Sequence, residues 1–146
     1  MKKNILLIVL CCTLLIHIST VFSNNNLTIE QLQAESVVND YCVALINGDT
    51  ETIKKLLEKT LLKKRKKLLD NPQYPDILRE RYSNSRYVIF GNKLIDENQV
   101  EIDVNFVLNE QESFKRRFVL TKGKNSKNVN SQFYIQDEIE VTEERN

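Results

Sequence analysis

The chain has 146 residues, 41% of them hydrophobic, and its 21 lysines and arginines are balanced by 20 acids. That length holds one domain with a single modest core, and so even a charge excludes the basic balance a nucleic-acid binder carries. Its one histidine, His17, and two of its three cysteines, Cys11 and Cys12, all fall within the first 23 residues. Those residues have the layout of a secretory signal: Lys2 and Lys3 supply a positive start, 5–15 an apolar stretch, and Val21-Phe22-Ser23 compact residues for cleavage. An uncleaved N-terminal membrane anchor is the rival reading, since Ile16, Ile18, Val21 and Phe22 prolong the apolar run toward spanning length. Thr13, His17, Ser19 and Thr20 dilute that run, which favours cleavage. The expected organisation is a signal peptide at 1–23, a polar tether at 24–27, one domain at 28–142 and a tail at 143–146. Removal of Lys2 and Lys3 turns 21 bases against 20 acids into 19 against 20.

After the tether, Thr28-Ile29-Glu30-Gln31 forms a capping box, with Leu27 and Leu32 spaced as a hydrophobic staple. The helix it opens carries Ala34, Val37, Val38, Tyr41, Leu45 and Ile46 at helical spacing and stops at Asn47-Gly48, where glycine suits the left-handed C-terminal position. Asp49 caps a second predicted helix whose inner stripe is Ile53, Leu56, Leu57, Leu61 and Leu68, ended by Asp70-Asn71-Pro72. A short third helix begins at Pro75 and runs to about Tyr82. Beyond Ser83-Asn84-Ser85 the apolar period drops to two, and four strands are predicted at 86–95, 99–108, 112–122 and 131–141, with Gly91 a bulge in the first. Short loops make the first three antiparallel neighbours, and 122–128 is a polar loop. The expected class is therefore α+β, three N-terminal helices packed on a four-stranded antiparallel sheet. Cross-strand matching sets the register. Phe106 opposite Phe114 places Ile102 with Phe118 and Asp103 with Arg117; Phe118 opposite Ile135 places Phe114 with Ile139 and Lys115 with Glu138.

Three segments carry a resemblance: Ala34-Glu35-Ser36-Val37-Val38-Asn39-Asp40-Tyr41, the turn Ile46-Asn47-Gly48-Asp49, and the closing strand Phe133-Tyr134-Ile135-Gln136-Asp137. With the order of elements, they make the chain resemble the nuclear transport factor 2-like superfamily, in which a curved sheet wraps helices into a cone. With the signal-like N-terminus and the bacterial look of the Met-Lys-Lys-Asn start, the chain is expected to be an exported bacterial member of a superfamily that includes isomerases, dehydratases, cyclases, secretion components and immunity proteins. Fold does not select among them.

In that register two charges break the inner face. Arg116 lies between Phe114 and Phe118, Asp137 lies between Ile135 and Ile139, and the two fall opposite one another. A lone charge on an apolar face is costly, so they are expected to pair, or to line a wet cavity in which Arg116 grips a carboxylate or phosphate. Asp137 as an acid–base carboxylate of a small lyase or isomerase is the catalytic alternative, with Tyr41, Tyr82 and Tyr87 its candidate companions and Tyr41 a candidate ligand contact. A histidine-dependent triad, a cysteine–histidine pair and a histidine-ligated zinc are excluded once His17 is removed. No glycine-rich phosphate loop or calcium-loop spacing occurs, and nothing calls for a cofactor or a metal.

Cys42, set among Val38, Tyr41, Val43 and Leu45, is expected to be a buried thiol. The run Lys63-Lys64-Arg65-Lys66-Lys67 is expected to be a solvated helix face, the alternative being a contact for an anionic surface such as a membrane. The outer sheet face, with Glu101, Asp103, Asn105, Lys115, Arg117, Gln136, Glu138 and Glu140, is too charged for a dry obligate interface, so a monomer or weak homodimer is expected. These features point to an exported noncatalytic binding module of the cell envelope for a small ligand or exported protein, without nucleic-acid partners; an immunity-type role is a further alternative.

Overall fold

The computed structural model describes residues 27–108, 112–123 and 132–141. The predicted signal peptide and the tip of the polar loop lie outside those residues. Among the described residues four helices precede four strands: α1 Ile29–Asn47, α2 Thr50–Leu56, α3 Lys59–Leu69, α4 Tyr74–Tyr82, β1 Arg86–Asp96, β2 Gln99–Val107, β3 Ser113–Lys122 and β4 Phe133–Val141. The strands form one antiparallel sheet in the order β1-β2-β3-β4. The class is the expected α+β arrangement, helices packed against an open four-stranded sheet.

Local chemistry sets the helix ends. Thr28 Oγ1 accepts from the Gln31 amide at 3.2 Å and Gln31 Oε1 accepts from the Thr28 amide at 3.0 Å, so the capping box is complete. The staple is not, because Leu32 stays exposed. Gly48 ends α1 at φ +65° and donates to the carbonyls of Ala44 and Leu45. A Cβ at that position would lie 2.4 Å from the Pro75 carbonyl oxygen, so glycine is required by both conformation and the approach of α4.

The single second helix expected between Asp49 and Asp70 is two helices. Leu57 is extended (φ −84°, ψ 140°), forms an isolated parallel bridge with Ile135, and leaves the Glu58 amide to donate to the Ile135 carbonyl at 2.8 Å. Glu58 then caps α3 by accepting from the Thr60 amide at 2.6 Å. The sheet edge captures the backbone here, and tertiary hydrogen bonding overrides a continuous helical pattern. The break also resets the helical phase. Leu61 and Leu69 are buried, whereas Leu68, expected on the inner stripe, is 45% exposed.

The core lies between the helices and the concave face of the sheet. Tyr41, Ile53, Val100, Ile102, Val104, Phe106, Phe118, Leu120, Phe133 and Ile135 are its largest fully buried side chains besides Val38 and Cys42. Phe106 stacks on Phe114 with centroids 5.1 Å apart, and Tyr82 meets Phe106 edge-on at 5.7 Å. The β2–β3 register is as expected, with Phe106 opposite Phe114, Ile102 opposite Phe118 and Asp103 opposite Arg117. Arg117 Nε donates to Asp103 Oδ1 at 2.7 Å and Nη2 to Oδ2 at 3.0 Å, a two-pronged pair on the outer face. The predicted bulge in β1 falls beside Gly91, at Phe90.

The β3–β4 register differs. Ile135 pairs with Leu120 rather than Phe118, and Gln136 and Asp137 together oppose Val119. This β-bulge inserts one residue into β4 and reverses the facing of everything after it. Glu138 turns inward opposite Phe118, while Asp137 and Ile139 turn out and are exposed. The outer face therefore loses Glu138 and gains Ile139.

Candidate functional site

Arg116 faces inward as the alternation on β3 requires, but Asp137 is not its partner. Asp137 lies on the outer side of the bulge, where its Oδ1 accepts from the Glu138 amide at 2.9 Å. The bulge delivers Glu138 instead. Its side chain is 4% exposed, its Oε1 accepts from Arg116 Nη1, and its Oε2 accepts from Arg65 Nη1 and from the Tyr41 hydroxyl at 3.0 Å. Arg65 Nη1 also donates to the Tyr41 oxygen at 2.9 Å. One buried carboxylate is thus shared by two guanidiniums and a phenol drawn from α1, α3, β3 and β4.

Each member arrives for a local reason. Tyr41 belongs to the inner stripe of α1 and packs edge-on against Phe118, centroids 5.5 Å apart. Arg65 occupies the middle of the Leu61–Arg65–Leu69 stripe, the face that the break at Leu57-Glu58 turns toward the sheet. Arg116 extends across the Phe114 ring, with Cζ 4.9 Å from the centroid, and lies 5.7 Å from that of Phe106. Arg81 on α4 approaches Phe114 from 6.0 Å.

Burial is the largest single influence and works against the charge on Arg65 and on Arg116, yet the Glu138 carboxylate, together with hydrogen bonding and the neighbouring tyrosines, holds both guanidiniums above their ordinary pKa. Burial, reinforced by that carboxylate, pushes the Tyr41 phenol and the Cys42 thiol up. Cys42 is therefore the inert, buried thiol expected from its neighbours. The cluster of two arginines and one glutamate carries a formal surplus of one positive charge. It is not sealed, since the Arg65 side chain is 29% exposed and that of Arg116 17%. Among the described residues the Arg65 Nε and Nη2 groups have no hydrogen-bond acceptor, so a donor edge remains available.

Of the other predicted site residues, Tyr82 is buried against Phe106 with its phenol beside Arg116, whereas the Tyr87 hydroxyl donates to Asn39 Oδ1 away from Glu138. Lys63, Lys64, Lys66 and Lys67 are solvent-exposed on α3, so the basic run divides into a lysine face and an inward arginine. The sequence reading placed Arg65 in the solvated or anion-contacting run and Glu138 on the outer sheet face, and missed both as members of the interior cluster. Arg65 had a legible signal, a charge midway between two leucines at four-residue spacing; Glu138 had none, because strict alternation points it outward.

A groove of about 590 Å³ lies at the other end of the sheet, lined by Leu57, Lys59, Thr121, Lys122, Tyr134 and Gln136 among others. A smaller cavity of about 280 Å³ is bordered by Asn105, Phe114, Lys115 and Glu140. Neither includes Arg65, Arg116 or Glu138. Among the described residues no group of three histidine, cysteine, aspartate or glutamate side chains could hold a metal ion, and no helix is long and apolar enough to cross a membrane. Comparison with family models, curated proteins and solved structures finds no match to this chain.

Proposed function

We propose that this chain is a noncatalytic binding module of the cell envelope, of the nuclear transport factor 2-like type, exported by the signal at its N-terminus. It holds an anionic group, on a small ligand or an exported protein, at the Arg65–Glu138–Arg116 cluster. The observation that carries the reading is the cluster's uncompensated positive charge, with the Arg65 side chain 29% exposed and its Nε and Nη2 donors without an acceptor among the described residues. A carboxylate or phosphate matches that edge in charge and in planar donor geometry. Catalysis by an interior carboxylate is less well supported. Both Glu138 oxygens are already engaged by donors, and Asp137 lies outside. A monomer or weak, salt-sensitive dimer fits the outer face, where the Asp103–Arg117 pair and Glu101 occupy ground a dry interface would need.

The test is a titration of the full chain, isotopically labelled in its arginine side chains, with benzoate and with inorganic phosphate. Saturable shifts of the Arg65 and Arg116 Nε–H signals, abolished by Arg65→Met, are expected. Signals that stay fixed through the millimolar range for both anions would refute the reading.

A further inference from the structure

We propose that the exposed lysine face of α3 is a docking surface for anionic lipid headgroups, a function independent of the arginine cluster. The segment from Lys59 to Leu69 contains six cations and no acid, in a chain whose total is nearly neutral, so the molecule is strongly polarised. The core side of α3 is fixed by Leu61, Arg65 and Leu69, which leaves Lys59, Lys63, Lys64, Lys66 and Lys67 directed to solvent. Lys66 is paired with Asp70. Lys59, Lys63, Lys64 and Lys67 have no acidic side chain within ion-pair distance among the described residues. Four uncompensated ammonium groups are therefore held together on the outside of one rigid helix.

The chemistry of the patch selects its partner. Lysines are flexible point charges that suit a diffuse layer of phosphate and carboxylate headgroups; the only arginine in the run, the residue fitted for two-pronged recognition, points inward. The helix carries no aromatic side chain on which nucleic-acid bases could stack. Its only exposed large hydrophobic is Leu68, too little for the apolar centre of a stable protein interface, but placed to dip between headgroups beside Lys64. Such contact is reversible and salt-sensitive.

Sedimentation of the full chain with vesicles of phosphatidylcholine, alone or with phosphatidylserine, tests this at low and at physiological salt. Association with the anionic vesicles should weaken steeply as salt rises, and each lysine changed to glutamine should lower partitioning about fivefold, the equivalent of about 1 kcal/mol per surface lysine. The quadruple variant Lys59→Gln, Lys63→Gln, Lys64→Gln, Lys67→Gln should lose at least about 100-fold, and the matching lysine-to-arginine variant should retain binding. These side chains support no core contact, and an unchanged thermal melt of each variant verifies the fold. Equal binding to neutral vesicles, or salt-independent binding that survives the quadruple change, would assign any membrane contact to other residues and overturn the proposal. Binding to heparin or single-stranded DNA without vesicle binding would overturn it equally.

Discussion

Replacing Glu138 by glutamine tests the interior assignment most directly. The carboxylate is 4% exposed and accepts from Tyr41, Arg65 and Arg116, so the substitution keeps the shape and removes the only negative charge between two guanidiniums. Breaking a buried ion pair by loss of one partner costs about 3–5 kcal/mol. The lower end applies here, because the arginines are 29% and 17% exposed and recover part of their hydration. A loss of about 3 kcal/mol corresponds to a fall in Tm of about 10 °C for a chain of this size. Asp137→Asn, one residue away and on the exposed side of the bulge, should change stability by less than about 0.5 kcal/mol. The double change Glu138→Leu with Arg116→Met should recover part of the single-variant loss, since the desolvation penalty disappears with the charges. Thermal and urea melts of the three variants beside the parent form the assay. A Glu138→Gln melt within about 1 °C of the parent, or an Asp137→Asn loss larger than that of Glu138→Gln, would refute the inward placement of Glu138 and the bulge behind it.

Three further outcomes follow from particular contacts. Gly48→Ala should cost about 2 kcal/mol or more, and Gly48→Asn should not rescue it: asparagine tolerates positive φ, but any Cβ meets the Pro75 oxygen at 2.4 Å. A tolerated asparagine in a urea melt would show that conformation alone selects glycine there. Deletion of Gln136 should remove the bulge while leaving Glu138 inward, costing no more than about 2 kcal/mol; a collapse of the melt as deep as that of Glu138→Gln would show that the bulge itself orients the glutamate. The Cys42 thiol and Tyr41 phenol are raised by burial, so the unfolded chain releases these protons first as pH climbs. Their stabilisation is complete below about pH 8.5 and is lost as pH rises above it, the thiol beginning near 8.5 and the phenol near 10. Cys42→Ala should flatten the fall of the urea midpoint between about pH 8.5 and 10, and an unchanged slope would contradict the burial.

Most of the architecture is written in local pattern. The capping box at Thr28, the stop at Gly48, the change of period after Ser85 and the charge-matched Asp103–Arg117 pairing depend on neighbours in sequence or across one ladder, and each is where the residues alone place it. So is the inward Arg116, since alternation along β3 is uninterrupted from Phe114 to Phe118. Glu138, Arg65 and the division of the long second helix are different. The helix breaks because the edge of β4 offers the Ile135 carbonyl to the Glu58 amide, a bond between residues far apart in the chain. That break decides which side of α3 is buried, and therefore that Arg65, not a lysine, reaches the core. The bulge at Gln136-Asp137 adds one residue to a repeat of two, which exchanges the faces of Asp137 and Glu138. Propensity and hydrophobic alternation constrain each segment separately, whereas helix phase and strand register after an insertion are chosen by the packing of the assembled sheet, and only the tertiary structure could say which carboxylate the two arginines share.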